Sequence, residues 1–417
     1  MVNNNRQRIF ADTLIPGIGE PSSNMAVVIA NGIIEWVGPQ EQAPQVAGKD
    51  LQIPVLMPGM WDCHTHFTGM QTPTLSAAMD VPVPVAAARS VADAQRAIDA
   101  GFTSVREVGG FGVYLARVIN EGNAIGPHVY AAGDLISPTG GHADLHNYSL
   151  GCVADLAARD GWLHTCDGVT GALRAVRLQL RKNAKLIKIC ASGGTLTEYD
   201  DPMHQQFSDI EIRTMVEEAA RAERIVAAHC HGKAGIMAAL RNGVKTIEHG
   251  TFLDEEAADA MLEAGAILVT TRSVKIRNMA YAKTHGLPDY AWEKLLMTAD
   301  RHQEAVSLAI EKGVIIAAGT DSLTSGDDTP LRWGEHALEL KLLVDDGMTP
   351  LQAIESATAT APLTLGPQAP KTGQIKAGYD ADLCAVTQNP VCDITVLLDT
   401  KNITHVWKAG TLLKQPQ

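Results

Sequence analysis

The 417-residue sequence predicts an α/β protein, a (β/α)8 TIM barrel carrying a small β-sandwich domain built from both termini. Three observations predict it. Between residues 58 and 367, short β-branched or apolar runs alternate with Ala- and Glu-rich amphipathic segments, the mark of repeated βα units and a parallel sheet. Both ends instead read as short strands broken by turns. Polar side chains able to bind metals fall at the ends of several of the middle runs, where barrels of this kind carry their chemistry.

From Arg8 to Pro54 the text gives Ala26-Val27-Val28-Ile29-Ala30, then Asn31-Gly32, then Ile33-Ile34-Glu35-Trp36-Val37. Asn-Gly between apolar runs predicts a tight hairpin, because both turn positions need positive φ. The C-terminal end resumes this style with Ala381-Asp382-Leu383-Cys384-Ala385-Val386 and Ile403-Thr404-His405-Val406-Trp407. The expected division is therefore 1–57 with 368–417 as the β-sandwich domain, and 58–367 as the barrel.

Eight middle runs end near His66, Val108, Gly133, Ala191, His229, His249, Thr271 and Asp321. The helical segments between them are expected to cover the barrel. Ser208-Asp209-Ile210-Glu211 has capping-box spacing, and Ile210, Met215, Ala219 and Ala220 read as one broad face. Longer irregular pieces follow the third run (137–167), the fourth (195–207) and the eighth (322–329). Such loops carry specificity or act as lids.

The bulk numbers narrow the function. At 46% hydrophobic and 19% charged, the chain has the material for a large core and is not disordered. A formal net charge of -13 without a basic run argues against nucleic acid or an anionic membrane as partner. No apolar stretch reaches the roughly 18 residues of a membrane span, and residues 1–12 hold no signal-type segment, so a cytoplasmic protein is expected. Seven scattered cysteines without Cys-x-x-Cys spacing indicate neither a disulfide framework nor a zinc ribbon. Cys63, Cys190 and Cys230, beside candidate ligands, are expected to face outward beneath the helices and to carry no chemistry.

The central stretch is Pro58-Gly59-Met60-Trp61-Asp62-Cys63-His64-Thr65-His66. On a strand, His64 and His66 project to one side and can chelate one ion. Alone the pattern is more often a pair of solvated or core histidines, but Lys188, His229, His249 and Asp321 stand at or near the ends of later runs. His64, His66 and Asp321 would hold one divalent metal and His229 with His249 a second, a nitrogen and carboxylate set that suits zinc. A bridging anion is then required. Lys188 sits in an apolar run where desolvation lowers its pKa, and a neutral amine can take up carbon dioxide as a carbamate. The other reading, an ordinary snorkelling Lys185 or Lys188, fits the spacing as well.

The chain resembles the amidohydrolase superfamily, and within it the ochratoxinases and related metal-dependent prolidases. The likeness runs over nearly the whole chain and is carried by residues 55–67, Lys185-Leu186-Ile187-Lys188 with Ala191-Ser192-Gly193-Gly194, residues 228–239 and Gly366-Pro367-Gln368-Ala369-Pro370. It selects Lys188 over Lys185. It implies two divalent metal ions bridged by carbamylated Lys188, and a bridging hydroxide that attacks an amide carbonyl. Asp321 would take the hydroxide's proton and deliver it to the leaving nitrogen. The substrates implied are N-acyl amino acids, of the ochratoxin-like acyl-phenylalanine kind, or dipeptides. A homo-oligomer and a small-molecule substrate are also implied. The sequence departs from the family in 137–167 and 195–206, where substrate choice would lie.

His231, two residues beyond His229, is a candidate donor to the substrate carbonyl or its oxyanion. Arg272 could pair with a substrate carboxylate or form a loop salt bridge. His142, in Gly140-Gly141-His142-Ala143-Asp144, is a candidate substrate contact, while Tyr199 and His204 read as solvated loop. Two other functions compete: a carbamate, urea, lactone or cyclic-amide hydrolase using the same centre, and a scaffold without catalysis. The scaffold should lack a ligand, whereas all six residues are present.

Overall fold

The computed structural model describes residues 6–47, 50–159 and 161–416; residues 1–5, which begin the polar N-terminal stretch, lie outside them. The chain opens with strands β1 (Gln7–Leu14), β2 (Ser22–Ala30), β3 (Ile33–Pro39) and β4 (Leu51–Pro58). Next come β5 (Met60–Met70), β6 (Phe102–Glu107), β7 (His128–Ala131), β8 (Leu135–Ser137) and β9 (Leu163–Thr165). They are followed by β10 (Ile187–Cys190), β11 (Val226–Cys230), β12 (Thr246–His249), β13 (Ile267–Val269), β14 (Ile315–Ala317) and β15 (Ser322–Thr324). The end is β16 (Leu383–Val386), β17 (Ile403–Lys408) and β18 (Thr411–Lys414).

Both termini build one seven-stranded sheet, ordered β18-β17-β16-β4-β1-β2-β3. Asn31 and Gly32 turn β2 into β3 with φ of 51° and 82°, the conformation that only such a pair adopts cheaply. The sheet curls on itself: Ile34 N donates to Tyr379 O and Ala381 N to Gly32 O, so the β3 edge meets the approach to β16. Ile9, Val27, Ile29, Ile53, Leu56, Leu383 and Trp407 fill its apolar face.

The middle of the chain is α/β with parallel strands, as the alternation predicts. The eight expected runs form β5, β6, β7, β10, β11, β12, β13 and β14. They fall in two ladders rather than one: β14-β13-β12-β11-β10-β8-β9 and β15-β5-β6-β7. The break has a local cause. Gly133, at φ 79°, turns the chain out of β7, and a Cβ there would collide with Gln179 Oε1. The chain re-enters as β8, which takes the place beside β10.

The supposedly irregular piece 137–167 thus holds the end of β8, the helix Leu150–Ala158 and strand β9. Ser208 and Glu211 form the expected capping box, but the buried face of that helix is Ile212, Met215 and Ala219. Ile210 is 60% exposed, because 212, 215 and 219 keep helical spacing and 210 does not. Among the described residues no helix is long and apolar enough to cross a membrane.

Side chains on the inner side of the strands, including Leu186, Ala227, Val269 and Ala317, pack with Trp61 and are plugged from below by Ala361 and Leu365. The expectation for the cysteines holds only for Cys230, which packs in the helix-side core. Cys63 joins the inner cluster because β5 is irregular between Asp62 and Thr65, which resets the alternation. Cys190 lies two residues beyond Lys188, hence on the same face, and packs with Leu135, Trp162 and Val274. Burial raises all three thiols, Cys63 to about 12, so none is poised as a thiolate.

Candidate active site

Strand β5 is locked to the end of β14 by a buried carboxylate. Asp62 accepts from the backbone N–H groups of His64 and Thr320, both at 3.0 Å, and from His336 Nδ1 at 2.7 Å. Asp321 N then donates to His64 O at 2.8 Å. This stitching sets Asp321 against the histidine pair: Asp321 Oδ1 stands 3.2 Å from His66 Nε2 and 3.7 Å from His64 Nε2.

A second triad faces the first. His229 and His231 leave the end of β11 and His249 the end of β12, and all three are buried. His249 Nε2 lies 2.9 Å from His229 Nδ1. His64 and His249 have ring centroids 4.9 Å apart, so the triads share one cavity. Within each triad the candidate ligand atoms lie within 4.8 Å of one another.

Each ring nitrogen turned away from the cavity has its own partner. His64 Nδ1 donates to Glu248 Oε2 at 2.7 Å, His66 Nδ1 to Gly109 O at 2.6 Å, and His229 Nε2 to Gly193 O at 3.3 Å. His249 Nδ1 meets Thr271 Oγ1 at 2.7 Å and His231 Nδ1 meets Thr251 Oγ1 at 2.7 Å. A carbonyl or carboxylate only accepts, so it fixes the N–H on the far side and leaves a lone pair on the inward nitrogen. By that logic His64 and His66 offer Nε2 and His229 offers Nδ1. Burial holds His64 down to about 4, and burial followed by neighbouring charge holds His229, His231 and His249 well below the ordinary imidazole value. Burial also pushes the Asp321 carboxyl up, but His64, His66 and Lys188 outweigh it and keep Asp321 well below the usual carboxylate range.

Lys188 lies at the cavity floor, 1% exposed, and its Nζ has no hydrogen-bond partner among the described residues. Burial lowers its pKa, partly countered by Glu248. An orphaned buried amine is costly. His249 Nε2 and His229 Nδ1 share a 2.9 Å hydrogen bond across the positions that bound ions would occupy. The orphaned amine and the imidazole and carboxylate donors fit a site built around zinc-type cations. Three non-glycine residues at the strand ends hold positive φ: His249 at 71°, Thr271 at 52° and Asp321 at 60°. Strained backbone of this kind persists where surrounding structure over-determines it.

His142 reaches the cavity and stacks on His229 with centroids 4.3 Å apart; its Nδ1 lies 3.0 Å from Thr197 Oγ1. Arg272 does not line the cavity. Its Nε donates to Asp346 Oδ2 at 2.6 Å and it is 4% exposed, so the salt-bridge alternative is the one found. Tyr199, 72% exposed, stacks on His146 outside the cavity, and the His204 side chain is also largely in solvent.

The sequence reading missed several residues. Glu248 and Asp62 were legible in principle, since a carboxylate inside an apolar run needs buried partners. The cavity walls Leu75, Leu135, Trp162, Leu196, Val274 and Leu323, and the polar Lys275 and Asn278, come from the short strands β8 and β15, from loops and from helical segments, none with a spacing that signals a site. The cavity encloses about 610 Å³ of non-atom space, part of it open to solvent.

The chain belongs to the amidohydrolase family, whose model matches residues 55–413. It is a hydrolase acting on amide-type C–N bonds. The chain is 44% identical to the ochratoxinase of Aspergillus niger, over 98% of its own length and 86% of the relative's. The crystal structure of A. niger ochratoxinase superposes with a TM-score of 0.91 at 43% identity, covering 99% of this chain and 96% of that one. A Xaa-Pro dipeptidase solved with methionine bound in its active site superposes at 0.87 with 30% identity, covering 98% of this chain and 100% of that one.

Proposed function

We propose that this chain cleaves the amide bond between an acyl group and an amino acid, taking ochratoxin-like acyl-phenylalanines or dipeptides, at a dinuclear metal centre. One observation carries the reading: two triads, His64, His66, Asp321 and His229, His231, His249, stand around a buried amine without a partner. His64, His66 and Asp321 would hold one ion and His229 with His249 the other, with Lys188 bridging as its carbamate. Such a pair lowers the pKa of water and polarises a carbonyl.

The chain's own groups supply the rest. Asp321, kept anionic, takes a proton at its carboxylate and returns it to the leaving nitrogen, without which an amide does not break. His231 directs Nε2 into the cavity; if the Thr251 hydroxyl donates to Nδ1, that Nε2 carries the proton and donates to the carbonyl oxygen as charge develops. Because His231 also stands in the second triad, it is alternatively a third ligand there. The apolar wall of Leu135, Trp162 and Val274 suits an aromatic or aliphatic substrate portion and thins out water.

We further infer that the two parallel sheets are arcs of one eight-stranded barrel spanning 58–367. Cys63 N donates to Ala318 O at one seam and Lys185 N to Ala131 O at the other, which supports closure. The curled terminal sheet supports the β-sandwich of 1–57 with 368–417.

The test is product analysis on a panel of N-acyl-phenylalanines, acyl-prolines, carbamates and ureas. Release of free amino acid from the acyl compounds supports the proposal. Turnover confined to carbamates or ureas would replace it with the alternative hydrolase.

A further inference from the structure

Besides Lys188, the cavity is lined by a second lysine that the reaction outlined above leaves unused. Lys275 lies one turn into the helix Arg272–His285, which follows β13, and is 2% exposed. Its Nζ donates to Thr298 Oγ1 at 2.9 Å, and among the described residues no carboxylate comes within ion-pairing distance. Asn278, three residues on and so on the same face, is 3% exposed, and its Oδ1 has no hydrogen-bond partner. A lysine without a counter-ion and an amide thus share one helix face on the pocket wall.

We propose that Lys275, with the Asn278 Nδ2 amide N–H as a second donor, seats the carboxylate of the amino acid released by cleavage. The inference rests on the proposed N-acyl amino acid reaction and names what that site recognises. A buried ammonium without a counter-ion is a standing cost that an incoming anion removes, so it selects anionic ligands. Burial lowers Lys275 to about 7, and the Asp321 charge opposes that fall. Position supports the assignment. The Lys275 charge acts on His231, the proposed carbonyl contact, whereas Trp162 stands beside His66 with ring centroids 6.4 Å apart. The cavity thus has a lysine wall within electrostatic reach of both the carbonyl contact and Asp321, and an aromatic wall at Trp162. An N-acyl amino acid, with a carboxylate close to its scissile carbonyl and a bulkier acyl group, matches that pairing. Arg272 cannot serve instead, being paired with Asp346, and the Lys294 ammonium is spent on loop carbonyls.

The experiment compares wild type, Lys275→Met, Lys275→Arg and Asn278→Leu on two matched pairs. The first pair is N-benzoyl-L-phenylalanine and its C-terminal carboxamide, read as KM and kcat. The second is L-phenylalanine and L-phenylalaninamide, read as binding by calorimetry. Lys275→Met should raise KM for the free acid at least tenfold more than for the carboxamide, and weaken L-phenylalanine by a similar factor relative to its amide. Lys275→Arg should keep part of the discrimination, and Asn278→Leu should lose a smaller share of it. Equal losses on acid and amide, or a wild type that binds L-phenylalanine no better than its amide, overturn the assignment. Should wild type hydrolyse neither substrate, the proposed reaction fails, and the binding pair still decides the role of Lys275. Should Lys275→Met not fold, the Arg and Leu variants decide it.

Discussion

His64 Nδ1 lies 2.7 Å from Glu248 Oε2, and both side chains are buried, His64 at the cavity wall and Glu248 behind it. Arg106 holds the same carboxylate from below, with Nη2 2.7 and 2.6 Å from its two oxygens. The carboxylate therefore fixes both the tilt and the tautomer of the imidazole. Replacing Glu248 by Gln should weaken metal binding about 10- to 100-fold, the usual effect of losing a ligand's outer partner. Glu248→Ala should also destabilise the fold by roughly 3–5 kcal/mol, because it strands a buried guanidinium. Metal titration and the unfolding midpoint of the two variants check this.

Thr271 holds φ at 52°, an outlier for a β-branched residue, while its hydroxyl meets His249 Nδ1. Both Thr271→Gly and Thr271→Val should lose activity, since neither keeps the hydroxyl. Only glycine relieves the backbone, so Thr271→Gly should be more stable than Thr271→Val by roughly 1–3 kcal/mol. Thermal unfolding of the pair, alongside activity, separates the two effects.

Glu107 is buried, accepts from Gly112 N at 3.1 Å, and leaves Oε2 unpartnered. Burial pushes its carboxyl up to about 8, against the opposing backbone N–H groups. The folded state thus binds this proton more tightly than the unfolded chain. The resulting stability is fully present below the unfolded value of 4.5 and is lost as pH rises through about 8. Glu107→Gln should therefore gain stability relative to wild type between about pH 5 and pH 9. Unfolding midpoints of both proteins across that range test the sign.

Lys294, from the helix Asp289–Lys312, donates to Gly194 O, Thr197 O and Asp200 O and pairs with Asp200 Oδ1. The loop after β10, which carries Thr195 and Leu196 into the cavity and supports His142 through Thr197, is thereby clamped. Lys294→Met should raise hydrogen exchange across residues 194–200 and lower kcat/KM about tenfold, the scale of a small misplacement of positioning groups. Unchanged exchange with a full kinetic loss would point to direct contact with substrate instead.

The sequence was most readable where periodicity and chemistry coincide. His64-Thr65-His66, Lys188, His229, His249 and Asp321 stand at or near the ends of apolar runs, so one pattern marks both the strand and its polar tip. The hairpin at Asn31-Gly32 was legible because its backbone conformation dictates the residues. The split of the sheet at Gly133 was not, because one glycine in an apolar run signals neither a break nor a new strand. The facing of Cys63 was misread because a bulge leaves no mark in the alternation. The choice for Arg272 between substrate and salt bridge stayed open in the sequence because its partner, Asp346, lies 74 residues away. Lys275 and Asn278 stayed hidden because a lysine on a helix ordinarily marks a solvated face.

The most direct measurement of the central claim is the metal content of protein purified without chelators, beside that of Lys188→Ala. Wild type should carry two divalent ions per chain and the variant clearly fewer, with amide hydrolysis falling in step. Active wild type carrying well under one ion per chain would contradict the claim.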